Sequence, residues 1–416
     1  GWMRLLPSAL ARVAITSLAF MLLEVPEPVW NTSIGKCASC SPPATASGFH
    51  AVMSRIEASG TAKAGKDVYC EKPMSHTIWE AREMARVAKE KKVATQMGNQ
   101  GGSNPLLDMV QKWVDDDKIG KISTVQIWTN RPVWPQGFAM PEPDESQKPK
   151  DLHWDLWLGP ASYKPYIPNM HPFNWRGWWD YGTGALGDVG CHLIDIPFRT
   201  LGLKYPTDAE SSVAAIYTQM WNPDYNPEGC PASSFTTIGF DATEKSKSPI
   251  KMTWSDGGIR PAHPDIIPAD HDIGGRNSSN GVLMIGEKGI ISTNINDSSP
   301  LMPKLYLNDG TTEFGPESEK SEEPEYGHQR KWVDACKAGF DSPEHKGLTS
   351  SFDYAGPMTE TVLMGNLAIR SYMLRRENGK GDMEFYGRKK LLWDGENMKI
   401  THLEEANQFV GREYRE

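Results

Sequence analysis

Two hydrophobic periodicities alternate along the early part of the chain. After Gly65, Val68 and Tyr69 start a short β-forming run that ends at Cys70. Beyond Glu71-Lys72-Pro73, apolar residues return at helical spacing, at Ile78, Ala81, Met84, Ala85 and Ala88. Thr77 with Glu80 three residues on has the form of a capping box, and Lys89–Lys92 close the stripe with positive charge. Val93–Met97 is a second short strand, running into the turn Gly98-Asn99-Gln100-Gly101-Gly102. The pattern predicts a βαβ unit with polar groups at both strand exits, where open α/β sheets bind ligands.

Leu106–Asp117 reads as an amphipathic helix with Leu106, Leu107, Val110, Trp113 and Val114 inward. Lys121–Thr129 then alternates, with Ser123, Val125 and Ile127 on one face and Ile122, Thr124, Gln126 and Trp128 on the other. A domain boundary falls near Gly120. Pro141–Lys150 is a polar loop, and Gly182–Asp195 is a glycine-rich turn entering a helix. The chain then turns strand-rich, at 211–219, 235–240, 250–254, 282–285, 290–293 and 304–307. With 122–128 these predict one large, mostly antiparallel sheet. Gln329–Lys337 and Met358–Leu374 are late helices, and Gly365 inside the second marks close packing.

The first sixty residues are less orderly. Val13–Leu23 is an apolar run of eleven after Arg4 and Arg12, too short to span a bilayer. It has the length of a signal-peptide core, but Glu24 and Pro26 follow with no close small-x-small cleavage site. Asn31–Ala64 is rich in Ser, Ala, Cys and Pro without a strand period. No GxGxxG occurs before Lys66, where a dinucleotide-binding unit would open. The glycine turn that grips a dinucleotide pyrophosphate is therefore absent, and weak cofactor binding by the chain as written is expected.

Composition narrows the class. The 416 residues suffice for two cores, and a mean hydropathy of −0.52 fits a soluble globular protein. A net charge of −9 argues against nucleic acid or an anionic membrane as partner. Of six cysteines only Cys37 and Cys40 are a close pair, and no second Cys or His pair completes a zinc site. The remaining thiols favour a reducing compartment, cytoplasmic by default, with export left open by the run at 13–23.

Two stretches carry candidate chemistry. Residues 128–179 hold seven of the fifteen tryptophans, among them Trp154, Trp157, Trp175 and Trp179, followed or preceded by His171, Asn174 and Arg176. Such a segment is either aromatic packing or a sugar platform, with rings against the C–H faces and polar groups on the hydroxyls. On the helix after Gly182, Asp188 and His192 lie four apart and His192 and Asp195 three apart, so each pair shares a face. A carboxylate beside an imidazole suits general acid–base work, although a surface pair has the same spacing. His263, Asp265, Asp270, His271 and Asp272 crowd one Pro-rich loop, which reads as solvated rather than as a metal site.

GKDVYCEKPMSHTI followed by TQMGNQG resembles the Gfo/Idh/MocA family of NAD(P)-dependent sugar oxidoreductases, as do WDLWLGPASYKPY, HPFNWRGWWDYGTGALGDVGCHLID, LLWDGENM and EEANQFVGREYR. The resemblance covers roughly 62–416. It implies an incomplete Rossmann-type domain over 63–120, after an atypical segment 1–62, and a substrate domain over 121–416 whose large sheet has helices on one face. It implies NAD or NADP as cofactor, with Glu71, Lys72, Pro73, Asn99, Gln100, Trp175 and Arg176 near it; no metal is expected from the residues. It carries the family's catalytic pattern onto Lys72, Asp188 and His192, and puts Trp154, His171 and Arg176 with these against a sugar or polyol. A homo-oligomer through the sheet is expected, with no membrane span. Two further activities stay open: elimination or hydrolysis of a glycoside through transient oxidation, and non-catalytic carbohydrate binding.

Overall fold

A computed structural model describes residues 13–15, 54–221, 223–294, 303–315 and 327–414. The first unit comprises β1 (Val13–Ile15), α1 (Ser54–Lys63), β2 (Asp67–Cys70), α2 (Ile78–Lys91), β3 (Thr95–Met97) and α3 (Leu106–Asp115). The three strands form a parallel sheet in the order β1-β2-β3, with Ala14 opposite Val68 and Val68 opposite Thr95. The expected βαβ unit is present. Its helix begins with the expected capping box: Glu80 N–H donates to Thr77 Oγ1 at 3.3 Å, and Glu80 Oε2 accepts from the Thr77 N–H at 3.0 Å. Lys92 ends it in the left-handed region, at φ 52°.

Two elements depart from the sequence reading. The start of the apolar run lies in the sheet as β1, beside β2. The rest of that run, 16–23, lies outside the described residues, as do Cys37 and Cys40. α1 occupies a region in which the sequence shows no element. It buries Ala58 and Ala62, small residues whose pattern is too faint to read as an amphipathic stripe.

The rest of the chain begins with β4 (Ile122–Thr129), α4 (Trp154–Leu158), α5 (Gly184–Leu193) and α6 (Asp195–Thr200). β5 (Asp208–Val213), β6 (Ser234–Phe240), β7 (Ile250–Ser255), β8 (Asn280–Gly286), β9 (Gly289–Thr293), β10 (Lys304–Leu307) and β11 (Thr312–Phe314) follow. Then come α7 (Gly327–Ala338), α8 (Pro343–Lys346) and α9 (Phe352–Tyr372). The tail forms the small pair β12 (Arg376–Glu377) and β13 (Met383–Glu384), then β14 (Leu391–Asp394) and β15 (Lys399–Ile400). Ten strands make one sheet in the order β11-β10-β9-β8-β4-β7-β6-β5-β14-β15. Only β4 and β7 run parallel within it, so the expected mostly antiparallel sheet is observed.

The alternation in β4 sorts its two faces. Val125 and Ile127 stand level with Met252 and Trp254 of β7, all buried. On β6, Thr236 and Ile238 meet α9, where a Cβ on Gly365 would lie 3.5 Å from each of them. The same Cβ would lie 2.5 Å from Leu186 of α5, so the glycine permits the close packing that the sequence suggested. On the opposite face, Phe235 of β6 and Leu392 of β14 are exposed. α9 starts six residues before the expected Met358, with Pro357 inside its first turns. Its amino-terminal half packs on α2, where Gly356 approaches Ala81 and Ala85.

Candidate active site

The exit of β2 and the middle of α5 meet at one carboxylate. Lys72 Nζ donates to the Asp188 backbone carbonyl and, at 3.2 Å, to Asp188 Oδ1. Arg176, in the short 3-10 turn 174–177, donates Nε to the same Oδ1 at 2.9 Å. Burial acts to raise the Asp188 pKa, but the charges of Lys72 and Arg176 and their hydrogen bonds prevail and hold it well below the usual carboxylate range. The Arg176 guanidinium also lies 4.3 Å from the Phe173 ring centroid and 4.4 Å from that of Trp175.

The second strand exit lies beside the first. Gly98 N–H donates to the Cys70 carbonyl at 2.8 Å. A Cβ on Gly98 would lie 2.5 Å from Glu71 Oε2, so this bare glycine lets the Glu71 carboxylate lie across the neighbouring strand end. Asn99 follows, fully buried, and neither its Nδ2 nor its Oδ1 has a partner among the described residues. An amide with donor and acceptor both unmet is costly in a folded protein and is the complement of another carboxamide, such as that of nicotinamide. By this test the residues present fit such a group. Gln100 turns aside, its Nε2 3.5 Å from the Tyr69 hydroxyl.

The remaining expected residues divide. His192 is on α5, one turn beyond Asp188, and half-buried. Asp195 is not left for it: its carboxylate accepts from Arg199 Nη2 at 2.9 Å and from the Tyr354 hydroxyl, which anchors α6 to α9. Trp154 sits in a separate aromatic core. It is 3% exposed, stacked on Trp157 with centroids 4.6 Å apart, and met edge-on by Tyr166 at 5.1 Å. A sugar needs an open ring face, so packing accounts for Trp154. His171 stands edge-on to Trp157 at 6.2 Å, on the border of this core. The half-open ring beside Arg176 is Phe173, which the tryptophan count did not single out. In the Pro-rich loop, His263 Nε2 approaches the His271 carbonyl at 3.1 Å and His271 Nδ1 the Tyr306 hydroxyl at 3.0 Å.

His76 was also missed. Its Nε2 meets the Gly182 carbonyl at 3.2 Å, tying the loop after Lys72 to the turn that opens α5. Burial, then Arg412 and Arg370, keep its pKa well below the ordinary 6.5. A lone histidine before a capping box carries no signal in the sequence.

The parallel βαβ unit brings Lys72, at a strand exit where open α/β sheets bind ligands, against a carboxylate on the helix-backed mixed sheet. Family models define the arrangement further. The oxidoreductase-family NAD-binding Rossmann fold matches residues 46–99, and the oxidoreductase-family C-terminal alpha/beta domain matches 108–214. Models of the Gfo/Idh/MocA oxidoreductase family thus match parts of both units, and the expected nicotinamide dinucleotide is the cofactor class of the matched Rossmann fold. The chain is 24% identical over 196 residues to levoglucosan dehydrogenase from Pseudarthrobacter phenanthrenivorans, a match covering 46% of this chain and 39% of that protein. Among solved structures, an inositol dehydrogenase homologue with NAD+ from Azotobacter vinelandii is 14% identical, with 80% and 75% of the two chains covered and a TM-score of 0.47. An aldose-aldose oxidoreductase from Caulobacter crescentus with glycerol is 14% identical, with 77% and 75% covered and a TM-score of 0.44. Among the described residues, no helix is long and apolar enough to cross a membrane.

Proposed function

We propose that this protein oxidises a hydroxyl of a sugar or polyol, with Lys72, Asp188 and His192 managing the proton. The observation that carries the reading is the bond from Lys72, at the exit of the cofactor unit's strand, to Asp188 on the helix of the second unit. It puts a cation where the two units face each other. Lys72 polarises the reacting oxygen. Asp188, itself held by Arg176, accepts from Lys72 and fixes its direction. His192 takes the hydroxyl proton. A bound nicotinamide supplies the hydride acceptor. Asn99 would hold its carboxamide, with Glu71, Pro73, Gln100 and Trp175 around it, while His171 and Arg176 face the substrate. That the curated relative is a levoglucosan dehydrogenase supports a carbohydrate substrate. We further propose a cofactor unit that includes β1 and α1 and ends near 120, a substrate unit over 121–416, and self-association through the sheet face bearing Phe235 and Leu392.

The test is reduction of NAD+ or NADP+ by a panel of free sugars and polyols, with cofactor affinity measured by calorimetry. Net formation of reduced cofactor is expected. Consumption of a glycoside without net reduction would move the assignment to elimination or hydrolysis. No dinucleotide binding at all would defeat the enzyme reading.

A further inference from the structure

The turn from Met97 to Ser103 is closed by a residue more than two hundred positions away. His328, near the start of α7, is 1% exposed and uses both ring nitrogens. Nε2 lies 2.8 Å from the Met97 carbonyl, and Nδ1 lies 2.7 Å from Ser103 Oγ. A carbonyl only accepts, so Nε2 carries the proton and Nδ1 accepts from the Ser103 hydroxyl. Ser103 Oγ in turn lies 2.9 Å from Thr349 Oγ1, which donates to it. One imidazole therefore grips both ends of the seven-residue turn, and the residue left between with an unpartnered buried amide is Asn99.

Independent contacts hold the same turn. Gln96 Nε2 reaches the His328 carbonyl at 3.3 Å, and its Oε1 accepts from Ser350 N–H at 3.0 Å. On the other side a Cβ on Gly102 would lie 2.8 Å from Asp195 Oδ2, so the turn is pressed against α6. Burial, with Lys331 and Arg199 nearby, keeps His328 neutral, which preserves the donor–acceptor order of its two nitrogens.

We propose that His328 is a positioning residue for the nicotinamide dinucleotide: by stapling Met97 to Ser103 it presents the Asn99 amide ready-set, and so raises cofactor affinity without touching the cofactor. The proposal rests on the oxidoreductase reading given above. Preorganisation of this kind acts on affinity because the loop does not have to be ordered upon binding.

The experiment measures NADH dissociation constants by fluorescence, and hydrogen exchange of 97–104 in the cofactor-free protein, for wild type, His328→Ala, His328→Gln and Ser103→Ala. His328→Ala should weaken NADH about tenfold and speed exchange of the turn, as expected for loss of one or two hydrogen bonds, with exchange in α9 unchanged. His328→Gln, whose amide can donate to Met97 and accept from Ser103, should recover most of both effects. Ser103→Ala, a smaller change that keeps the fold if His328→Ala does not, should weaken NADH several-fold in the same direction. NADH affinity within about twofold of wild type in folded Ser103→Ala and His328→Ala would overturn the proposal. A wild-type protein that binds no NADH would instead defeat the oxidoreductase reading, and this inference with it.

Discussion

Asp188→Asn and Lys72→Ala should separate chemistry from stability. Asp188 Oδ1 serves two cations, at 3.2 Å for Lys72 and 2.9 Å for Arg176. At such distances each attraction is worth about 5 kcal/mol before desolvation, taking an effective dielectric of roughly 20. Asp188→Asn removes both attractions and leaves two cations facing each other. Removing one member of a buried ion pair costs about 3–5 kcal/mol, and the partial exposure of these side chains puts the expectation at the lower end, about 3 kcal/mol. Lys72→Ala leaves the Asp188–Arg176 pair whole, so its stability loss should be about 1 kcal/mol or less. Both should lower turnover about a hundredfold or more, as should His192→Ala, because each disturbs the proposed proton path. Urea denaturation gives the first quantity and initial rates of nicotinamide reduction the second. Asp188→Asn proving no less stable than Lys72→Ala would show that the two cations do not depend on this carboxylate.

Trp154→Ala should cost about 3–5 kcal/mol, as for other buried tryptophans, while sugar affinity is retained in whatever protein stays folded. Phe173→Ala should do the reverse, weakening sugar binding with little change in the urea midpoint; the same titration checks both. Stability against pH should carry two opposed slopes. Burial pushes His328 down to about 4 from an ordinary 6.5, so below pH 6.5 the unfolded chain binds a proton that the folded one does not, and stability falls until about pH 4. Burial pushes Asp256 up to about 6 from 3.8, against hydrogen bonds from Trp254 and Ser234, so between those values the folded chain binds the proton and stability rises as pH falls. The His328 and Asp256 effects are each about 3 kcal/mol and offset each other, and buried His76, also held below its ordinary value, adds a further fall below pH 6.5. Asp256→Asn should expose the falling slope of the two buried histidines, His328 and His76, and an unchanged pH profile in that variant would refute the assignment.

Much of the fold is legible in local patterns. The α2 stripe, its capping box and the alternation of β4 each depend on neighbours three, four or two residues away, and the later strands are marked off by Gly, Pro, Asn and Asp turns. What stays hidden depends on distant partners or on weak patterns. α1 buries alanines, α9 begins before a proline, and β14 becomes a sheet strand only because β5 offers an edge. In the site, the EKP and Asp-x-x-x-His segments stand out through the family resemblance, since their spacing alone is shared with ordinary turns and surface pairs. That Asp188 is held by Arg176 as well as Lys72, that Trp154 is core, and that His76 and His328 fasten loops from afar are properties of packing, and no spacing rule reports them.

Helix α9 sets where this chain can be cut and rejoined. Its first half closes over α2 at Gly356, and its second half lies on α5 and β6 at Gly365. A fragment ended at Gly120 would lose the surface that covers Ala81 and Ala85. A chimera exchanging cofactor units at that linker would marry α2 from one parent to α9 from another. The compatible breakpoint therefore lies inside a single helix, between 357 and 365, so a donor cofactor unit should travel with 349–357, which also brings the segment bonded to the edge of β3.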